Sequence, residues 1–197
     1  MKLGITGVYA SGKGTVCSLL EELGAVSIDT DLIAREIFEP GSEALEKLVY
    51  AFGNSILNSD GTLNRAETAK IAFNDPKKLT ILNDISHPLI LKIVLDRTSS
   101  DEGKIFAINV PLLFETGFNV FMDKTIVVTS NLDQIIKRGL ERDNFEEKEV
   151  LLRLKYQIPL NEKIKSADYV IDNSLSIEDT KRQVSELWNI LNKIELR

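Results

Sequence analysis

Short apolar runs alternate along the chain with longer segments whose apolar residues recur every three or four positions. The short runs predict five β-strands, at residues 2–6, 26–28, 105–110, 125–129 and 169–171. These strands are apolar on both faces, which is typical of a parallel sheet covered by helices. A first helix is predicted over residues 15–23, before Gly24, and a last helix after Ser176. The pattern therefore predicts an α/β fold built on a five-stranded parallel sheet.

Residues 32–104, between the second and third predicted strands, carry only helical signals. Ser42, Asn64 and Asp75-Pro76 each mark the start of a predicted helix. Such a block is too large for a plain crossover, so we expect a helical insertion beside the sheet, where it could cover an acceptor substrate. A purely structural helical cap is the alternative. Asn131 is expected to cap a further helix after the fourth strand.

The composition limits the classes of partner. A formal charge of −6 and a pI near 5.0 provide no general basic face, so nucleic acid is not an expected partner. No apolar stretch approaches the roughly 18 residues of a membrane span, and no signal-peptide pattern is present, which predicts a soluble, cytoplasmic protein without a membrane partner. Cys17 is the only cysteine, and its expected role is that of a buried structural thiol.

The sharpest motif is the glycine-rich segment GVYASGKGT, residues 7–15, between the first strand and the first helix. It is nearly a Walker A phosphate loop in the required context. Glycines let backbone N–H groups wrap closely around phosphate oxygens, and Lys13 supplies a positive charge for the β- and γ-phosphates. A turn that merely connects strand to helix is the alternative. The motif predicts ATP contacts, with Lys13 also catalytic, from Ala10, Ser11, Gly12, Lys13, Gly14 and Thr15.

Gly14 departs from the usual loop, which has Ser or Thr at this position to ligate Mg²⁺. No metal ligand can therefore be assigned with certainty, although Thr15 is one position further on. The metal can instead be held mainly by ATP and water. Adenylate kinases share the Gly-Lys-Gly-Thr sequence, so the change is compatible with kinase chemistry.

Two carboxylates, Asp29 and Asp31, follow the second strand at the edge where α/β proteins bind ligands. A carboxylate there can orient an acceptor hydroxyl and accept its proton as the phosphoryl group arrives. We assign this catalytic role to Asp31. Asp29 is interpreted as a helix cap or a supporting group. The alternative is that Asp29 has the catalytic role and Asp31 the supporting one.

The ordered set of motifs resembles the dephospho-coenzyme A kinase family over nearly the whole chain. Besides the loop, the resemblance rests on DTDLIAR (29–35), EPG (39–41), HPLI (87–90), PLLFE (111–115) and ADYVIDN (167–173). It implies a three-layer P-loop kinase fold of the nucleoside monophosphate kinase type, with a helical substrate domain and a mobile lid. It also implies transfer of the γ-phosphoryl group from ATP to 3′-dephospho-CoA, the last step of coenzyme A biosynthesis, with Mg²⁺ and no obligatory protein partner.

The resemblance sets the expected organisation of one P-loop kinase domain over residues 1–197. The core comprises residues 1–31, 105–137 and 167–197, with the insertion at 32–104 and the lid at 138–166.

The acceptor is expected to be bound by Asp31, Arg35, His87 and Leu113. Arg35 lies one helical turn after Asp31, so the two can face one ligand, and a guanidinium suits an acceptor phosphate. His87 precedes Pro88 at an expected helix boundary and is interpreted as structural or substrate-orienting. Leu113 belongs to an apolar stretch that predicts a wall for the substrate or, equally, buried core.

Arg138 and Arg142 are expected to contact ATP, because they match the lid of the family and phosphoryl transfer needs positive charge over the transferring group. Arg142 is also assigned a catalytic role. The alternative is a solvated helix face with salt bridges. The charged segment 146–149 has few apolar residues and is expected to move at little cost in buried contacts.

Two rival functions are compatible with parts of the sequence. A nucleoside monophosphate kinase is compatible with the loop but not favoured by the later motifs. A nucleotide-dependent switch needs no acceptor domain, and the guanine-binding pattern Asn-Lys-x-Asp is absent.

Overall fold

The five predicted strands form one parallel sheet in the computed structural model. The strand order is β2-β3-β1-β4-β5, so β1 lies at the centre. The prediction of a five-stranded parallel sheet is confirmed, with ends that differ by one residue in several strands. The strands are β1 (Lys2–Thr6), β2 (Val26–Asp29), β3 (Phe106–Asn109), β4 (Lys124–Thr129) and β5 (Tyr169–Asp172).

The structure describes residues 1–99, 103–143 and 146–195, and within these ranges the side chains of residues 142, 143 and 195 lie outside the description. The helices are α1 (Lys13–Glu22), α2 (Thr30–Glu36), α3 (Glu43–Phe52), α4 (Arg65–Asn74), α5 (Pro76–Ser99), α6 (Leu132–Asp143), α7 (Glu147–Lys155), α8 (Leu160–Lys165) and α9 (Ile177–Glu195). None of the described helices is both long and apolar enough to cross a lipid bilayer.

The chain divides into two units. The sheet unit comprises Met1–Asp29 and Asp101–Arg197, and the helical unit comprises Thr30–Ser100. The helical unit thus begins two residues before, and ends four residues before, the insertion predicted from the sequence.

The core of the sheet unit lies between one face of the sheet and helices α1 and α9. Alternate strand residues such as Leu3, Ile5 and Val128 point to this face and are fully buried, as the period of two in a strand requires. Leu20 of α1 and Leu191 of α9 cover them. This packing fixes the start of α1, and therefore the loop that precedes it, against the end of β1.

Local capping explains where two helices of the helical unit begin. The Ser42 hydroxyl accepts a hydrogen bond from the N–H of Leu45 (3.2 Å), and the Asn64 side-chain oxygen accepts one from Glu67 (3.0 Å). Both predicted helix starts are confirmed. In the sheet unit, Asn131 likewise caps α6.

Helix α5 runs without interruption from Pro76 to Ser99, so the helix boundary predicted before Pro88 is wrong. Pro88 has no N–H, and the carbonyl of Asp84 therefore lacks its usual helical donor. The helix continues because its second half is anchored by the buried side chains of Ile90 and Val94. Burial outweighs the local penalty of the proline in this case.

We predict that Pro88→Ala raises the free energy of unfolding. The alanine restores the missing N–H donor at an exposed position, which stabilises the helix. Alanine also gives the unfolded chain more conformational freedom than proline does, so the net increase in the free energy of unfolding should be about 1–2 kcal/mol. Urea denaturation measures the change, with Lys92→Ala, an exposed position in the same helix, as the control. A loss of stability in Pro88→Ala alone would show that the packing of α5 requires the proline.

Candidate active site

The loop between β1 and α1 has the backbone shape of a phosphate cradle. Its last residue, Gly12, has a φ of 96°, and Ala10, with a φ of 56°, is the one residue other than glycine with a positive φ among those described. Alternation between right-handed and left-handed backbone conformations turns successive N–H groups towards the inside of the loop. The left-handed conformation of Ala10 costs of order 1 kcal/mol. We name residues 7–15 the phosphate loop.

The Ser11 carbonyl fixes the shape of the phosphate loop. It accepts a hydrogen bond from Asn173 Nδ2 at 2.9 Å, and Asn173 Oδ1 in turn accepts one from the Thr180 hydroxyl at 3.0 Å. An ideal Cβ at Gly12 would lie 1.9 Å from Asn173 Nδ2. Glycine is required at position 12 both for this close approach and for the positive φ.

Arg138 also holds the phosphate loop. Its Nη1 donates to the Ser11 carbonyl (3.4 Å) and to the Ser130 hydroxyl (3.2 Å), and its Nη2 donates to the Asn173 carbonyl (3.0 Å). The guanidinium therefore joins the loop to the ends of β4 and β5. Its predicted contact with ATP stays a prediction.

Lys13 reaches back over the phosphate loop. Its Nζ donates to the carbonyls of Val8 (3.1 Å) and Gly7 (3.3 Å), so the positive charge lies beside the backbone that precedes it. Gly14 has open space around its α-carbon, and Thr15 is exposed. The Ser11 hydroxyl, in contrast, is buried with no hydrogen-bond partner among the described residues.

Asp29 stands at the carboxyl end of β2, opposite Asn109 of β3. The Asp29 carboxylate accepts a hydrogen bond from Asn109 Nδ2 at 3.2 Å, which fixes its orientation. Asn109 was not predicted as a site residue from the sequence, although an amide at the end of the apolar run FAIN was a usable signal. Burial, followed by the charge of Asp29, raises the pKa of Cys17 to about 12, so this cysteine is a neutral structural thiol.

In the helical unit, Asp31 and Arg35 lie one turn apart on α2, as predicted, and both are exposed. Arg65, at the start of α4, donates to the carbonyl of Ala34 at 3.3 Å. Burial is the main cause that lowers the pKa of Arg65, the charge of Arg35 adds to the effect, and Asp31 opposes it. Arg65 therefore belongs to the same charged cluster.

Arg65 was not predicted as a site residue from the sequence. The available signal was its place in the first turn of a capped helix, where the helix dipole disfavours a cation. We name Asp31, Arg35 and Arg65 the α2–α4 cluster.

The other two predicted acceptor residues are His87 and Leu113. His87 is half-buried in the middle of α5. Leu113 is fully buried in the sheet unit, where its methyl groups lie 3.0 and 3.1 Å from an ideal Cβ at Gly4. This packing supports the alternative of Leu113 as buried core, and its contact with a substrate stays a prediction.

The helices after β4 pack on the phosphate loop. Val150 of α7 and Ile135 of α6 are buried with Val8 and Ala10 of the loop. The charged residues 146–149 predict a helix with few buried contacts. Val150, which directly follows them, is nevertheless buried against the loop. The side chain of Arg142 lies outside the described part of the structure, so its predicted roles stay predictions.

A phosphate loop between the central strand and first helix of a parallel sheet defines a P-loop protein. A family model described as dephospho-CoA kinase matches residues 1–179. The dephospho-CoA kinase of Carboxydothermus hydrogenoformans is 44% identical over 186 residues, which cover 92% of this chain and 90% of the relative.

Solved structures agree with this match. Dephospho-CoA kinase from Campylobacter jejuni has a TM-score of 0.72 and 30% identity, with 98% of each chain covered. A shikimate kinase from Bacteroides thetaiotaomicron shares the fold, with a TM-score of 0.57, 16% identity, and coverage of 97% of this chain and 98% of the other. The fold and the loop are those of a P-loop kinase. Within that class, the chain belongs to the dephospho-CoA kinase family.

We predict that two neighbouring glycines respond differently to alanine. Gly12→Ala combines a positive φ with a clash against Asn173 and should lower the free energy of unfolding by about 2 kcal/mol or more. Gly14→Ala meets no atom within 4 Å and lies in a helix, so it should be neutral or stabilising by up to about 1 kcal/mol. Urea denaturation of both variants checks this, and equal losses would contradict the described loop geometry.

We predict a pH dependence that comes from His87. Burial lowers the pKa of His87 below its ordinary value of 6.5, while nearby Asp84 opposes the shift. The unfolded chain therefore takes up the proton first, and the stability that neutral His87 provides above pH 6.5 is lost as pH falls through the lower folded pKa. His87→Gln should remove this part of the pH dependence.

The pKa of His87 can be measured directly, because it is the one histidine in the chain and its imidazole proton signals need no assignment. An NMR titration should give a pKa below 6.5. Asp84→Asn should lower it further. A pKa above 6.5, or an increase in Asp84→Asn, would show that the imidazole is stabilised in its charged form.

Proposed function

We propose that this protein transfers the γ-phosphoryl group of ATP to the ribose 3′-hydroxyl of 3′-dephospho-CoA, giving CoA and ADP. The observation that carries the proposal is the phosphate loop, whose shape is fixed by the hydrogen bond from Asn173 to the Ser11 carbonyl. The match to the dephospho-CoA kinase family over residues 1–179 supports it. In this reaction the acceptor O–H bond and the bond between Pγ and the β–γ bridging oxygen break, and a new O–P bond forms.

The phosphate loop would bind the donor. Its backbone N–H groups and the start of α1 attract the β-phosphate, and Lys13 moves its charge from the carbonyls of Gly7 and Val8 to the β- and γ-oxygens. Arg142 would add charge over the transferring group. Fixed donors of this kind stabilise developing charge without the cost of reorganisation.

The residues present fit a magnesium ion that is held mainly by ATP and water. No group of three or more His, Cys, Asp or Glu residues that could hold a metal exists within the described ranges. The exposed hydroxyl of Thr15 and the carboxylate of Asp29 are the protein oxygens suited to it, and Mg²⁺ commonly takes only one or two. Bound there, the ion would neutralise charge on the β- and γ-phosphates.

The acceptor would be handled by the α2–α4 cluster. Asp31 follows Asp29 by two residues, so the chain keeps their α-carbons within about 7 Å of each other. Asp31 orients the 3′-hydroxyl and accepts its proton, and Arg35 and Arg65 bind the anionic part of dephospho-CoA. His87 and Leu113 remain proposed acceptor contacts.

The direct test is detection of CoA by mass spectrometry after incubation with ATP, Mg²⁺ and dephospho-CoA. Lys13→Ala, which removes a phosphate contact and no core packing, is the control and should be folded and inactive. AMP and shikimate, offered under the same conditions, test other small acceptors. Turnover of either one equal to that of dephospho-CoA would overturn the proposal.

We predict that Asp31→Asn lowers kcat about 100-fold or more and changes the KM for ATP less, because the carboxylate acts on the acceptor in the transition state. Asp29→Asn is the matched variant, and its smaller loss should depend on the Mg²⁺ concentration. Steady-state kinetics of both variants decide the assignment. A mild effect of Asp31→Asn beside a severe effect of Asp29→Asn would reverse it.

A further inference from the structure

Lys163 of α8 has no solvent-exposed surface, which is unusual for a lysine. Its Nζ lies 2.7 Å from Oε1 of Glu115 and donates to the carbonyl of Pro111 at 3.3 Å. The second carboxylate oxygen of Glu115 is buried with no hydrogen-bond partner among the described residues. The ammonium group is therefore neutralised and fixed in direction by one partner segment, residues 111–115.

A buried ion pair is a poor way to gain stability, because desolvation of the two charges opposes their attraction. An apolar pair of similar volume would fill the same space at lower cost. What an ion pair provides beyond packing is a unique geometry.

The Glu115 carboxylate also holds the connection between two helices. Its Oε1 accepts a hydrogen bond from the N–H of Ile158 at 3.0 Å. Ile158 lies in the connection of residues 156–159, between the end of α7 and the start of α8. We name this connection the α7–α8 joint.

The residue before Ile158 in the joint reaches the phosphate loop. Oε1 of Gln157 accepts a hydrogen bond from the backbone N–H of Tyr9 at 2.7 Å. The Tyr9 ring lies beneath the guanidinium of Arg153, with 5.4 Å from the ring centroid to Cζ. Two consecutive residues of the joint are thus fastened, one to Glu115 and one to the loop.

The other end of this network reaches the strand that leads into the loop. The Pro111 carbonyl, which accepts from Lys163, accepts a second hydrogen bond from the Thr6 hydroxyl at 3.1 Å. Thr6 is the last residue of β1 and directly precedes the phosphate loop. The buried pair is therefore tied to Thr6, directly before the loop, and to Tyr9 within it.

We propose that Glu115 and Lys163 are positioning residues for the phosphate loop, which act by holding Gln157 of the α7–α8 joint against the N–H of Tyr9. The inference rests on the proposed function, in which this loop binds the phosphates of ATP. Loss of the pair lets the joint shift, the Tyr9 N–H loses its acceptor, and the loop loses part of the fixed shape that binding requires. The effect falls on ATP and not on the acceptor.

The first test uses Gln157, because its substitution leaves the buried pair in place. Gln157→Leu removes the acceptor for Tyr9 and should raise the KM for ATP about 5- to 10-fold, the range for one lost hydrogen bond. Gln157→Glu keeps an oxygen acceptor for Tyr9 and should keep its amide protected from hydrogen exchange, while its negative charge beside the loop opposes ATP binding. The KM for dephospho-CoA should stay within about twofold of wild type in both variants.

The second test uses the pair itself. Lys163→Met removes the charge at similar volume, and Glu115→Gln retains an oxygen for Ile158 and should be milder. Lys165→Met, which breaks an exposed ion pair with Glu162 in the same helix, is the control and should behave as wild type. Should Lys163→Met not fold, Glu115→Gln and the Gln157 variants still decide.

A double-mutant cycle separates positioning from plain stability. If Glu115 and Lys163 act through Gln157, the effects of Lys163→Met and Gln157→Leu on the KM for ATP are not additive, and the double variant resembles one single variant. The same cycle with Glu115→Gln serves if Lys163→Met does not fold. Additive effects, or an unchanged KM for ATP in a folded Lys163→Met or Glu115→Gln, would overturn the proposal.

Hydrogen exchange at the Tyr9 amide gives a readout that needs no activity. In the free protein, Tyr9 should exchange about tenfold faster in Gln157→Leu and in the folded pair variant than in wild type or Lys165→Met. An unchanged rate would overturn the positioning role. Failure of the wild type to make CoA would instead overturn the proposed function, while the exchange result still decides how the loop is held.

Discussion

The structure of the site depends on one carbonyl group, that of Ser11. Asn173 and Arg138 both donate a hydrogen bond to it. Asn173 directly follows β5, and Arg138 lies in α6, the helix that follows β4. The order of the sheet places β4 beside β1 and β5 beside β4, so donors that are far away in the sequence meet at the loop that leaves β1. A peptide group held in this way cannot rotate without breaking hydrogen bonds on its oxygen. Its loop therefore keeps its N–H groups in place before any phosphate arrives, which is the form of electrostatic stabilisation that phosphoryl transfer needs.

One charged side chain is buried where the sequence pattern suggests a solvated surface. Lys163 stands between Glu162 and Lys165 in a short polar helix, and its neighbours form an ordinary exposed ion pair. Only the position of α8 against residues 111–115 makes Lys163 an interior residue. Burial of Val150 has a similar origin, because α7 returns over the phosphate loop. These helices do more than cover the site, since they share its polar contacts.

The sequence predicts whatever depends on nearby residues. Strand periodicity, the caps at Ser42 and Asn64, and the glycine spacing of the loop are local signals, and each was found at its predicted place. Contacts between distant segments were missed: Asn109 and Asp29 are 80 residues apart, and Lys163 and Pro111 are 52 apart. The helix boundary predicted at Pro88 failed for a related reason, because buried side chains further along α5 outweigh the local rule. No local pattern reveals which polar groups a fold brings together.

The α2–α4 cluster is unfavourable by itself, and this supports the proposed acceptor. Arg65 lies in the first turn of α4, where the helix dipole opposes a cation, and the charge of Arg35 lowers its pKa further. The Asp31 carboxylate, the smallest of the three influences, offsets only part of this. Consistent folds rarely keep such a local conflict unless function requires it. A bound anion resolves the conflict by supplying the missing negative charge, and dephospho-CoA carries a pyrophosphate that can do so. Within the described residues, the Arg65 guanidinium joins α4 to α2 by a hydrogen bond to the carbonyl of Ala34, which places its charge beside that of Arg35.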